Sequence, residues 1–205
     1  MNKEQYIEDL RDIREMMNKS GRFISLSGLS GIFAGVVALA AAYAAYHAIY
    51  ENQNYLSYRK AVITNEAILA ILVIAIVTII LAVGGAVFFT VRKAKKENEK
   101  VWNIHTKNLL LNLFVPLVAG GVVCLMLLSK GYVGVVAPLT LVFYGIGLFS
   151  ASKYSHPELY SLGILEMILG LIAMYFIGYG LLFWTIGFGV LHIAYGIIMK
   201  NKYGS

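Results

Sequence analysis

Inside the long apolar runs of this chain polar residues are few, and those that bear on chemistry are Asn112, Thr140, Tyr144, Glu166, Thr185 and His192. Glu166 is the single acid in "GILEMILG", and an ionised carboxylate in hydrocarbon is costly, so it must be paired, hydrogen-bonded or protonated. His192 can both donate and accept a hydrogen bond, and Tyr144 adds a hydroxyl. The flanking turns fix their depth. Counted from Gly178–Tyr179 for Glu166 and His192, and from Lys130–Gly131 for Tyr144, all three lie about 19 to 20 Å in at about 1.5 Å per residue. Glu166 follows Gly163 by three positions and precedes Gly170 by four, so a close helix neighbour covers its face, while His192 shares a face with Gly189, Tyr195 and Gly196. Two readings fit this layer: a proton-coupled or solute-binding site, or a buried carboxyl whose hydrogen bond fixes helix register.

Other chemistries fare worse. His47, His105, His156 and His192 fall at different depths and on both sides, which argues against a metal or haem site. The serines of "SLSGLSG" have no histidine at their level, which argues against a serine hydrolase. The one cysteine, Cys124, cannot form an intrachain disulfide and reads as a small apolar filler. The expectation is a protein that is not an enzyme and holds no metal or cofactor.

The elements that must position these residues follow from composition. The chain has 205 residues, 59% of them hydrophobic and only 14% charged, and its mean hydropathy is +0.72, outside the range of soluble domains. Measured against the roughly 20 apolar residues needed to cross a bilayer, six spans emerge, at about 23–50, 64–91, 109–129, 132–150, 158–177 and 180–199. The runs are continuously apolar rather than alternating, so the fold class is all-α and a barrel does not fit. A transmembrane domain over 22–200 follows a cytoplasmic amphipathic helix over 1–21, and a short tail, 201–205, closes the chain. In the first of these Tyr6, Leu10, Ile13 and Met17 form an apolar seam and Ser20–Gly21 a stop. Its polar face mixes signs, which favours docking on protein over lying on lipid. Its acids, from Glu4 to Glu15, are unlike the n-region of a signal peptide.

Lysine and arginine set the orientation. Fourteen fall before the first span, between the second and third, after the fourth and at the C-terminus, against three (Arg59, Lys60, Lys130) on the other side. The positive-inside bias places both termini in the cytoplasm. The net charge of +6 is thus topological and calls for no nucleic acid. Arg92, Lys93, Lys95, Lys96 and Lys100, next to the interfacial Trp102, are expected to contact anionic lipid.

The first span has a smooth side. Ser27, Gly31 and Gly35 form one small row and Ser30, Ala34, Ala38 and Ala42 the next, and such rows let backbones approach within a chain or between chains. Gly35, Gly121 and Gly170 recur in the outgoing helices, and Gly85, Gly145 and Gly196 in the returning ones, which fits three up-and-down hairpins.

The segments "RFISLSGLSGIFAG", "NLFVPLVAGG" and "GYGLLFWTIGFGVLHIAYGIIM" resemble a family of small six-span bacterial inner-membrane proteins with no assigned activity. The resemblance covers nearly the whole chain, implies a multi-pass bacterial inner-membrane protein and brings no catalytic residue. The hairpin repetition is similar in a generic way to acid-resistance membrane proteins of the HdeD type. The row Ala34, Ala38, Ala42 is similar to the first helix of vitamin-binding subunits of energy-coupling transporters. Two functions remain. The first is a non-enzymatic interaction or regulatory protein, with the bilayer and a second copy or another membrane protein as partners. The alternative is a small transporter or solute-binding subunit using Glu166, His192 and Tyr144.

Overall fold

The computed structural model describes residues 27–50, 65–98 and 101–203, together with Gln5 and Ile7. The amphipathic helix expected over 1–21, apart from those two helical positions, and the expected cytoplasmic loop residue Lys100 lie outside the described residues. Among the described residues there is no strand. Among them six helical segments are long and apolar enough to cross a membrane: α1 (Gly28–Tyr50), α2 (Asn65–Lys96), α3 (Ile104–Ser129), the span Val133–Tyr154 built on α4 (Val136–Ala151), α5 (Glu158–Tyr175) and α6 (Gly180–Tyr203). A 3₁₀ turn precedes α4 at Val133–Val135 and another follows it at Ser152–Tyr154.

Local chemistry sets the ends. Asn103 caps α3, its Oδ1 accepting from the Thr106 amide at 2.8 Å, while the Thr106 hydroxyl donates to the Val101 carbonyl at 2.6 Å. The same helix ends on Gly131, at φ 83°, with the Tyr132 amide donating to Leu127 and the Gly131 amide to Leu128. That pair of bonds satisfies carbonyls the helix leaves open, and the positive φ is why glycine stands there. Gly178, at φ 111°, makes the tight turn between α5 and α6.

Glycines decide which helices touch. A Cβ at Gly31 would lie 3.1 Å from the Gly196 Cα, and one at Gly35 would lie 2.7 Å from the Gly189 carbonyl oxygen. The small face of α1 therefore lies against α6 of the same chain, and Ser27, Ser30, Ala38 and Ala42 are buried, with Ala34 half-buried. In the same way α4 and α5 meet backbone to backbone. A Cβ at Gly145 would lie 2.6 Å from the Gly163 carbonyl oxygen, and one at Gly170 would lie 2.8 Å from that of Pro138. Outside these, α2 packs on α1 and α3 packs on α4. By contrast, α5 packs chiefly on α4 and α6 chiefly on α1. The result is a row in which α6 lies between α1 and the α4/α5 pair.

The charged end of α2 divides. Arg92, Lys95 and Lys96 are exposed, but Lys93 is only 4% exposed, with its ammonium 3.9 Å from Glu97. Lys93 thus departs from the lipid-facing group to which its neighbours were assigned, because its side chain turns inward with Thr90 and Ala94.

If close backbone approach holds α1 to α6, Gly35→Ala costs about 1 to 3 kcal/mol through overpacking. Gly84→Ala, whose new methyl group would meet nothing within 4 Å, is neutral within about 0.5 kcal/mol. Thermal unfolding of the two variants in one detergent compares them directly, and equal melting temperatures would contradict the packing.

Candidate functional site

Most polar side chains within the helices are spent on their own backbone. Thr78 donates to the Ile74 carbonyl, Asn112 to Asn108, Thr140 to Ala137 and Thr185 to Leu181, each within one helical turn. Tyr144, His192 and Glu166 behave differently. They come from α4, α6 and α5 and meet at one point.

The Tyr144 hydroxyl lies 2.7 Å from His192 Nε2, and His192 Nδ1 lies 3.0 Å from the Gly187 carbonyl oxygen. The carbonyl can only accept, so the network assigns the proton to Nδ1 and makes Nε2 the acceptor of the tyrosine hydroxyl. Glu166 Oε1 is 3.4 Å from the same Nδ1. One N–H therefore faces two acceptors, a backbone carbonyl and a carboxyl group.

Glu166 is wholly buried and His192 is 7% exposed. Neither carboxyl oxygen of Glu166 has a hydrogen-bond partner. Glycines make room for the group. Gly163 and Gly170 bring α4 against the face of α5 that carries Glu166, and on α6 the space a Gly187 side chain would take is filled by Glu166 Oε2 and by Leu141. Gly187 and Gly189 sit two positions apart and so face opposite ways, the first toward the acid and the second toward α1 at Leu39 and Gly35. Both belong to a π-helical stretch, Thr185–Leu191, whose turns are wider than those of an α-helix. The His192 imidazole bonds a carbonyl of that stretch from its C-terminal edge.

Aromatic rings line one side. Trp184 and Phe188 have centroids 4.9 Å apart, Phe188 and Tyr144 4.9 Å, and Phe188 stacks on His192 at 5.8 Å with 21° between planes. Trp184, Phe188 and Tyr144 are each half-buried. At the end where α5 begins and α6 finishes, Glu158 accepts from Lys202 at 2.7 Å and from the Tyr203 hydroxyl at 3.1 Å, tying the two helices together.

Sequence reasoning placed Glu166, His192 and Tyr144 in one layer, and the structure sets them in contact. It missed Gly187 and the π-helical stretch. The signal was "TIGFGVL", whose two glycines weaken an α-helix, but glycine spacing alone does not show which turn widens. Of the other histidines, His156 stacks on Tyr203 at 4.0 Å and His47 lies against Tyr43 at 4.6 Å, each apart from the acid. Among the described residues no group of three or more His, Cys, Asp or Glu is placed to hold a metal ion. No protein-family model, curated protein or solved structure matches this chain.

The fit of Glu166 against Gly187 makes a direct prediction. Gly187→Ala forces a methyl group into the carboxyl and destabilises the fold, whereas in a Glu166→Ala background the same change meets less resistance. The double-mutant cycle in thermal unfolding is therefore non-additive by about 0.5 to 3 kcal/mol. Glu166→Gln keeps size and shape and costs less than Glu166→Ala, which leaves a cavity worth about 2 to 5 kcal/mol. Strict additivity would show that the carboxyl does not occupy that space.

Proposed function

We propose that this chain is a small proton-coupled membrane transporter in which Glu166 carries the proton and His192 and Tyr144 relay it. One observation carries the reading: a carboxyl group buried between three helices, with no hydrogen bond to either oxygen, beside a histidine whose proton it can share. A carboxyl that only fixed register would be satisfied by its neighbours, because an orphaned polar atom destabilises the packing it is meant to hold. An orphaned acid is stable as a neutral group and becomes anionic only when a counter-charge arrives. The relay is short. His192 Nδ1 can hand its proton to the Glu166 carboxylate as Nε2 takes one from the Tyr144 hydroxyl, and the tyrosinate is made neutral again by a proton entering from the water side; the reverse shifts reset the imidazole when Glu166 releases its proton.

A π-helical stretch beside the acid supports movement at this level, since wide turns are where helices bend and re-register. The interaction-protein reading drew on the small face of α1, on the N-terminal amphipathic helix and on the poverty of polar groups; of these the small face is taken up by α6, and the helix lies outside the described residues. We place the protein in a bacterial inner membrane with both ends cytoplasmic, on the lysine and arginine distribution and the sequence resemblance.

Proteoliposomes on a solid-supported membrane test the site without knowledge of the solute. A pH jump drives protons into or out of Glu166 and gives a transient charge movement in the parent. Glu166→Gln abolishes it while keeping the parent's sizing profile, and Tyr144→Phe slows it by removing one relay member. Equal transients from parent and Glu166→Gln would falsify the proposal.

A further inference from the structure

The six helices divide into two tightly packed groups. In one, α6 meets α1 backbone to backbone at Gly28, Gly31 and Gly35, and α2 rides on α1; in the other, α5 meets α4 in the same way at Gly145, Gly163 and Gly170, and α3 rides on α4. The seam between the groups is built differently. Gly187, on the side of α6 that faces it, has side chains of Glu166 and Leu141 rather than backbone against it. Side chains bridge α5 and α6 at three levels: Glu166 with His192, Ser161 with the Tyr195 hydroxyl at 3.0 Å, and Glu158 with Lys202 and Tyr203. The two ends of the seam are closed by different means. At one end α5 and α6 are continuous through the turn at Gly178, and Gly180 packs on α4, where a Cβ would lie 3.5 Å from that of Ala137. At the other, which we place in the cytoplasm, the two helices meet through Glu158, which holds the Lys202 ammonium at 2.7 Å and the Tyr203 hydroxyl at 3.1 Å from each carboxyl oxygen. The Lys202 side chain is 56% exposed, so this ion pair borders water, where such pairs are weak and easily parted. Beneath it Leu159, Leu162 and Met199 are buried in one cluster, and Tyr203 of the ion pair and Tyr144 of the relay both pack against that cluster.

We propose that Glu158, Lys202 and Tyr203 form a latch, with Leu159, Leu162 and Met199 as the plug beneath it, and that together they gate the passage of protons between cytoplasmic water and Tyr144. This inference rests on the proton-coupled reading and extends it to a side and a gate. Release of Lys202 and Tyr203 from Glu158 frees the end of α6. The two groups then part at that end while the turn at Gly178 holds the other, because each group is locked internally by its glycine contacts. Water enters where the plug has opened. A hydronium ion there gives up the proton that restores Tyr144 after its own has passed to His192 Nε2, and closure of the latch shuts the relay off from water again.

Thiol labelling of the full chain in nanodiscs reads the gate without reference to protons. Met199→Cys, or Leu162→Cys where the first fails to fold, puts a thiol in the plug, and the native Cys124, buried on α3 against α4, reports any general loosening. A cationic, membrane-impermeant thiosulfonate labels the plug slowly with the latch intact and about fivefold faster when Glu158→Gln or Lys202→Met is added, while Cys124 labels at an unchanged rate. The two latch variants change local charge in opposite senses, so a field effect on the reagent would drive them apart, and a shared gain marks the latch. The pH-jump transient on the solid-supported membrane also rises about fivefold faster in both. Unchanged labelling of the plug in both variants, an equal gain at Cys124, or faster labelling with an unchanged transient overturns the gate and leaves the proton site at Glu166 standing. Absence of any transient in the parent removes the proton-coupled reading, and the gate with it.

Discussion

A carboxyl group surrounded by hydrocarbon cannot hold a bare charge, and the arrangement of α4, α5 and α6 follows from that constraint. To bury Glu166 completely, two helices must come close enough to exclude everything else. Gly145, Gly163 and Gly170 let α4 reach the backbone of α5, and Gly187 leaves on α6 the space that the carboxyl fills. Any larger residue at these positions would hold the helices apart and open the acid to its surroundings. The burial of one polar group and the placement of several glycines are two sides of the same packing problem.

Helix α6 is under demand from both flanks. Toward α5 it presents Gly187 to the acid, and toward α1 it presents Gly189 and Gly196 to a face made of Gly28, Gly31 and Gly35. It must also deliver His192 to Tyr144. A regular α-helix has one fixed angular relation between positions 187, 189 and 192, and the π-helical stretch changes it. The wide turn is thus placed where three separate contacts have to be met by one element, and His192 satisfies the Gly187 carbonyl within that turn.

Much of this was legible in the sequence. Six long apolar runs could only be helices, and counting residues from the turns set Glu166, His192 and Tyr144 at one depth because helix rise is nearly constant. The glycine spacing around Glu166 announced a close neighbour without naming α4. What the sequence hid was relational. Whether the Gly31–Gly35 face met another chain or α6, whether α5 leaned on α4 or on α6, and whether Lys93 turned in or out all depend on helix pairing, which an apolar alphabet scarcely encodes. The π-helical stretch differs from an α-helix by a small change in register, smaller than periodicity over a few turns can resolve.

Helix length adds a further consequence. The acid is carried by α5, which has 18 residues, while α2 has 32. At about 1.5 Å per residue these are roughly 27 and 48 Å, against a hydrocarbon core of about 30 Å. Beside α5 the shortfall is only a few Å, which snorkelling flanking side chains or local thinning can meet, while α2 tilts or projects beyond the surface. Glu158, at the first turn of α5, marks the polar boundary, and Glu166 lies eight residues, or about 12 Å, further in. The short α5 thus keeps the buried carboxyl little more than two helical turns from its own polar end.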